Sequence, residues 1–355
     1  MTDSRWINAL DALLEDMDAA HALYRPTPFW KAALERLVDE LRTAGPQGFR
    51  SLPGPLAFFV PTYGFPGYSA SPSRFEPVRD AVRELRLPDA RCDALTERLL
   101  SGESHAESDY RVLLAADTDT APHIDRFSES DVGCPAQQFE FDGRSFGRSS
   151  LNYLLGLAFL KRHADSRDIR KVLEIGGGFG TLGEILLSDP RNDAFYLDVD
   201  IPPTVECAHW YLGKIFGEQA VAGYLDTRYV TRLEVDALSS NYRAATLAPW
   251  QLPALHGQID LFVNFISFQE MEPDVVQNYL TQVDRLAPRL VLLRNIREGK
   301  AKASAPGAVG VEVPIRGDDY DGFLGSYRLA ACNTVPFGFR TVDGFHSELR
   351  LYTRR

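Results

Sequence analysis

Cysteine is scarce in this chain, and none of it is paired in sequence. Cys92, Cys134, Cys207 and Cys332 stand far apart, with no C-x-x-C among them. That spacing argues against a disulfide framework and a paired-cysteine zinc site, and the four read as free thiols in a reducing compartment. Cys207 and His209 are two apart on one helical segment, so their side chains do not face each other. No HExxH or Walker A pattern occurs, and no metal is expected. Positive charge is also short: 38 Lys and Arg stand against 49 Asp and Glu, a net charge of −11. Such a balance argues against broad contact with nucleic acid or an anionic membrane surface, though it leaves room for a local basic pocket. No apolar run approaches the roughly 20 residues of a membrane span. The amino-terminal stretch MTDSRWINALDALLEDMDAAHALY is acidic and amphipathic, without the basic start, apolar core and cleavage site of a signal peptide. The expectation is a cytoplasmic protein whose partner is a small molecule rather than nucleic acid or membrane, with a homodimer left open.

What the chain does have is glycine in one telling place. Residues 172–181 read VLEIGGGFGT. An apolar run carries Glu174, breaks into Gly176, Gly177, Gly178 and Gly180, and continues as the helix-like TLGEILL. Strand, glycine turn and helix bring a nucleotide-like ligand against bare backbone. Thr181 stands where the dinucleotide fingerprint wants a third Gly or Ala. The pattern is instead acidic-x-Gly-x-Gly-x-Gly, which resembles motif I of the class I S-adenosylmethionine-dependent methyltransferases. A pyrophosphate seeks helix amides, whereas S-adenosylmethionine carries a sulfonium and an ammonium. An acidic residue before the glycines suits the second. The alternative is a tight strand-to-helix turn with no ligand.

At 355 residues the chain is long enough for two domains. Apolar spacing predicts helices over roughly 4–23, 28–44, 73–86, 89–101 and 106–117. Between the second and third lies a Pro-, Gly- and aromatic-rich loop, read either as packing or as a lid whose Phe58, Phe59, Tyr63 and Phe65 contact a ligand. The expected organisation is a helical cap over 1–126, a connector and helix over 127–170, and a ligand-binding domain over 171–355. In the last, strands are predicted at 170–175, 194–200, 227–235, 259–266 and 289–296, alternating with helices. A helix is predicted at 319–331, and a final hairpin turns at Asp343-Gly344. The fold class is therefore α/β: a Rossmann-like, doubly wound sheet with an antiparallel C-terminal strand, plus a mainly helical N-terminal domain.

Ligands of such sheets bind at the carboxyl ends of the strands. The first strand offers Glu174, Gly176, Gly178 and Gly180 for a cofactor. The second offers Asp198 or Asp200 to accept ribose hydroxyls, with the terminal Asp200 preferred. The third is expected to end near Asp236, read as an acceptor for an adenine amino group or as a helix cap. The fourth ends in Asn264 and the segment Ser267-Phe268-Gln269-Glu270-Met271. Polar groups at an apolar strand end need partners, which a site or the cap of the next helix would supply.

With VLEIGGGFG, DVDIPPTVECAHWYL and DLFVNFISFQEMEPDVVQNYL in view, residues 127–355 resemble the sugar O-methyltransferase family of bacterial glycan and natural-product clusters. The resemblance implies S-adenosylmethionine as cofactor and a hydroxyl of a sugar or small natural-product intermediate as acceptor. Related enzymes of phenols or amino-acid derivatives are the nearest alternative. An NAD(P)-dependent oxidoreductase and a non-catalytic cofactor-binding protein are the others. A positioned base helps an alcohol lose its proton. Glu270 and His346 are the candidates, with His209 behind them, and Gln269, Arg294, Asn295 and Arg148 are candidate acceptor contacts.

Overall fold

A computed structural model describes residues 3–84, 90–303, 310–341 and 344–355. The first third is helical: α1 (Asp3–Ala19), α2 (Pro28–Ala44), α3 (Pro53–Phe58), α4 (Glu76–Glu84), α5 (Ala90–Ser101) and α6 (Glu103–Ala116). The expected break between the fourth and fifth of these falls at 85–89, outside the described residues. Prolines open α2 and α3 at the first turn, where a missing N–H costs nothing. The aromatic loop thus contains a short helix.

A hairpin of β1 (Phe139–Phe141) and β2 (Arg144–Phe146) leads into α7 (Arg148–His163). Helix α7 is buried without a break from Ser150 to Lys161, the pattern of a helix covered on all sides. It lies between cap and sheet: Leu37 and Phe49, Leu151 and Leu154, and Val172 and Leu261 belong to one continuous apolar core.

The sheet is built from β3 (Lys171–Ile175), β4 (Phe195–Val199), β5 (Val221–Ala222), β7 (Ala244–Leu247), β9 (Leu261–Phe265), β10 (Leu290–Ile296), β11 (Tyr327–Asn333), β12 (Phe339–Arg340) and β13 (His346–Arg354). Its order is β11-β13-β10-β9-β3-β4-β7-β5, with β12 paired to β13. All neighbours are parallel except those of β13, which runs antiparallel to β10, β11 and β12. The sheet is doubly wound with an antiparallel C-terminal strand, as the sequence leads one to expect. Strands β4 and β9 are buried along their whole length, as befits parallel strands covered on both faces. The covering helices include α8 (Thr181–Ser188), α9 (Thr204–Phe216), α10 (Tyr224–Thr227), α11 (Val235–Asn241), α12 (Pro273–Arg285) and α13 (Asp319–Phe323). Helix α1 reaches across to α10, where Arg228 Nε donates to Asp16 at 2.7 Å. The chain reverses its winding between β3 and β9, so their carboxyl ends flank the switch point.

Two expectations are corrected. The strand predicted at 227–235 is mostly helix and exposed loop, with Tyr229 82% exposed. Only β6 (Leu233–Glu234) survives, paired with β8 (Leu255–His256) off the main sheet. The strand that pairs with β4 is β7, whose Ala-Ala-Thr-Leu is fully buried but too poor in β-favouring side chains to stand out. The helix predicted at 319–331 stops at Phe323, and Tyr327 starts the edge strand β11. The Asp343 of the predicted hairpin turn lies outside the described residues, although Thr341 N still donates to Phe345 O across it.

Candidate functional site

The carboxyl ends of β3, β4 and β9 open into a broad cleft. It holds about 1050 Å³ of non-protein space, its solvent-open mouth included. The cap supplies Trp30, Phe58 and Phe59 to one wall; α7 supplies Ser149, Asn152 and Tyr153; the sheet supplies the glycine turn, Asp200, Ser267 and Glu270.

Gly176 and Gly178 have φ of +74° and +66°, the left-handed region that side chains rarely adopt. A Cβ at Gly178 would meet only Phe59 O, 3.8 Å away, so that backbone faces open cleft. A Cβ at Gly176 would collide with Ser267. Gly180 is different. Its φ of +89° turns the chain into α8 and a Cβ would press on Leu212, but it is not on the cleft wall. Its part is conformational.

Asp200 fixes the turn. Gly178 N donates to its Oδ2 at 2.9 Å and Ile201 N to its Oδ1 at 2.7 Å. Each oxygen keeps a second acceptor position. Burial raises its pKa to about 7 against the pull of those amides, with the Glu270 charge adding to the rise. Asp198 lies wholly buried beneath the turn, away from the cleft, and burial together with Asp200 and Glu174 holds its carboxyl well above the usual range. Of the two aspartates, Asp200 is the one on the cleft wall.

Glu174 is not where the sequence reading put it. It is fully buried, accepting from Tyr153 Oη at 2.7 Å and Tyr196 Oη at 2.6 Å. Burial raises it to about 8 against those two bonds. It supports the glycine turn from below and presents no oxygen to the cleft. Asn264 is likewise spent. Its Nδ2 donates to Ile175 O and Ser267 Oγ, and its Oδ1 accepts from Phe268 N and Asn295 Nδ2. Asp236 sits at the opposite end of the sheet on α11, exposed and paired with Lys171 at the start of β3, so it cannot reach an adenine in this cleft. That misplacement follows from the misread third strand.

Glu270 lies on the cleft wall in the short 3₁₀ turn Phe268–Glu270 after β9. Lys300 Nζ pairs with its Oε1 at 2.5 Å and also lies 4.0 Å from the centre of the Phe29 ring. Burial raises the Glu270 pKa; Lys300 and the Trp30 indole oppose it. Gln269 turns away, its Oε1 accepting from Ile296 N at 2.8 Å. Asn295 accepts from Gln269 N at 3.2 Å and is likewise absent from the cleft wall. Arg294 is buried one layer behind the wall, donating to Asn152 Oδ1 and Phe337 O, and burial lowers it to about 10. Arg148 donates to Thr62 O and lies over the Tyr63 and Phe339 rings, again behind the wall. His346 does start β13, but its Nδ1 is held by Glu298 at 2.7 Å, outside the cleft. His209 pairs with Glu206 on α9 at 3.3 Å, also outside it. Of the aromatic loop, Phe58 and Phe59 reach the cleft, Tyr63 is buried on Asp109 at 2.6 Å, and Phe65 is exposed.

Three residues in or beside the cleft carried no sequence signal that pattern reading could use. Lys300 lies in a plain loop. Trp30 reads as one more apolar helix residue. Thr204, at the start of α9, has a buried hydroxyl with no partner among the described residues, on the cleft wall beside Asp200. Ile266 also lines the cleft with φ +72°, a strained conformation for a β-branched side chain. No cluster of metal-ligating side chains occurs among the described residues. No helix among them is long and apolar enough to cross a membrane.

No protein-family model matches this chain, and no curated protein matches it. Among solved structures, magnesium protoporphyrin IX methyltransferase (ChlM) from Synechocystis PCC 6803 with bound SAH aligns at 13% identity and a TM-score of 0.41, over 59% of this chain and 84% of that one. The mitomycin 7-O-methyltransferase MmcR aligns at 12% identity and a TM-score of 0.36, over 94% and 75%. The O-methyltransferase NcsB1 from neocarzinostatin biosynthesis, in complex with SAH and 1,4-dihydroxy-2-naphthoic acid, aligns at 14% and 0.36, over 59% of each chain.

Proposed function

We propose that this chain is an S-adenosylmethionine-dependent O-methyltransferase acting on a hydroxyl of a small acceptor, a sugar or other natural-product intermediate. One observation carries the reading: the open backbone of Gly178 faces the cleft while its amide holds the Asp200 carboxylate beside it. That is a cradle with a diol acceptor at its edge, at the switch point of the sheet. The unpartnered Thr204 hydroxyl beside it is a further donor awaiting a ligand. Of the three acids gathered under and beside the turn, burial keeps Glu174 and Asp198 protonated near neutrality, and Asp200, on the cleft wall, is the one whose charge above about pH 7 would favour a cationic cofactor and oppose a pyrophosphate.

S-adenosylmethionine, when bound, supplies a methyl group on a sulfonium, open to in-line attack. The chain's part is placement and proton removal. Asp200 would hold the ribose, and the glycine turn would admit the amino-acid end of the cofactor. The cap and α7 would hold the acceptor in line, from which much of the rate would come. Glu270 would take the hydroxyl proton, with Lys300 keeping it ionised. Calorimetry with S-adenosylhomocysteine and with NAD tests the cofactor. We expect binding of the first and none of the second; NAD binding without S-adenosylhomocysteine binding would make the cleft that of an oxidoreductase.

A further inference from the structure

The cleft walls say more about the acceptor than that it bears a hydroxyl. On the cap side, Trp30 and Phe58 lie with ring centres 5.9 Å apart. On the sheet side, Tyr153 stacks on Phe265 at 4.8 Å with their planes 8° apart. All four line the cleft. Three of the polar side chains beside them already spend an atom on the protein. Thr27 Oγ1 donates to Glu270 O at 3.0 Å, Ser149 Oγ donates to Thr181 Oγ1 at 2.9 Å, and Asn152 Oδ1 accepts from Arg294 at 2.9 Å. Glu270 and Lys300 neutralise each other. A sugar carries hydroxyls around its whole ring, and each one buried here without a partner would lose its water hydrogen bonds uncompensated. A flat aromatic ring asks instead for apolar area and stacking partners, which these walls supply.

Resting on the methyltransferase reading of this cleft, we propose that the acceptor is a planar aromatic compound, its ring held by Trp30, Phe58, Tyr153 and Phe265 and its hydroxyl donating to Glu270 beside Lys300. The neutral ion pair asks for no net charge on the acceptor. The aromatic hydroxyl is also easier to deprotonate than an alcohol, with a reference pKa of ~10 for tyrosine.

The test uses the full chain, with and without saturating S-adenosylhomocysteine. Calorimetry and tryptophan fluorescence compare 2-naphthol with methyl α-D-glucopyranoside. We expect 2-naphthol to bind at least about tenfold more tightly, the worth of one stacked ring contact or more. Trp30→Ala should weaken it by about tenfold, and Trp30→Phe by no more than about threefold. S-adenosylhomocysteine affinity should stay within about threefold in both variants. Phe58→Leu, nearer in size, replaces Trp30→Ala if circular dichroism shows the latter unfolded. A glucoside that binds as tightly as 2-naphthol, or 2-naphthol binding indifferent to the aromatic substitutions, would overturn the proposal. Should S-adenosylhomocysteine itself fail to bind, the cofactor reading falls, and the naphthol-to-glucoside comparison on the unliganded chain still decides the acceptor class.

Discussion

Asp200 works at the scale of single hydrogen bonds. It accepts the amides of Gly178 and Ile201 and keeps a free acceptor position on each oxygen. Asp200→Ala should weaken S-adenosylhomocysteine binding by roughly 1–3 kcal/mol, the scale of charge-assisted bonds, as measured by calorimetry. Because its pKa is raised to about 7, the group is protonated below neutrality. Affinity should therefore rise with pH through about 7, and Asp200→Asn should flatten that rise. Gly178→Val should abolish S-adenosylhomocysteine binding, because the new side chain enters open cleft, and should also lower the melting temperature, because a β-branched residue is strained at φ +66°. Glu270→Gln should leave cofactor affinity intact and lower single-turnover methyl transfer by at least about tenfold, because shape is kept and proton acceptance is lost. At this scale the sequence was a partial guide. Residue type and strand-end position were enough to bring Gly176, Gly178, Asp200 and Glu270 into consideration, and the structure sets all four on the cleft wall. Glu174, Asn264 and Gln269 had the same credentials, yet each turns inward to a backbone or tyrosine partner. Which face of a strand end looks at the ligand depends on partners supplied by other elements, and no local pattern states it.

Helix α7 shows how an element can matter more than its residues. It is buried all round, and its Gly156 lies flat against Phe265; a Cβ there would meet ring atoms at under 3 Å. In an isolated helix Gly→Ala gains roughly 1 kcal/mol. Here the aromatic ring must shift, so Gly156→Ala should destabilise by about 1–3 kcal/mol, read by denaturant unfolding. It should also loosen the stacked Tyr153–Phe265 floor. The α7 start is tied to the cap by Glu129, which accepts from Gly147 N and Ser150 Oγ and pairs with Arg50, all three side chains being buried. Arg50→Met would strand that carboxylate and should cost about 3–5 kcal/mol. Most helices and central strands were legible because their apolar periodicity is long. Strand β7 was not, since four small buried residues carry no period, and its loss misplaced Asp236 with it.

For the whole molecule, the buried carboxylates set a pH dependence. Glu174 is raised to about 8 and Glu184 and Asp200 to about 7. Such groups hold protons in the folded chain that the unfolded chain releases above its ordinary carboxylate range. Raising the pH therefore favours unfolding, and stability should decline from about pH 4–5 to about pH 8. Thermal melts across that range should show the decline, and Glu174→Gln should make it shallower. An increase in melting temperature over the same window would contradict the assignment. That helices come first and the sheet later was readable from apolar spacing, but the core they share was not, because it joins residues far apart in sequence.

The antiparallel strand β13 has a consequence for biosynthesis. It lies between β10 and β11, although both are made before it. Until β13 emerges, β10 exposes a bare edge and β11 has no neighbour to join. The nascent chain can assemble the β3–β9 half while it is being made, but the other half must wait for its innermost piece. Translation pausing or truncation before residue 346 would leave an open sheet that other chains could join. The burden of avoiding aggregation thus falls on the synthesis of β13.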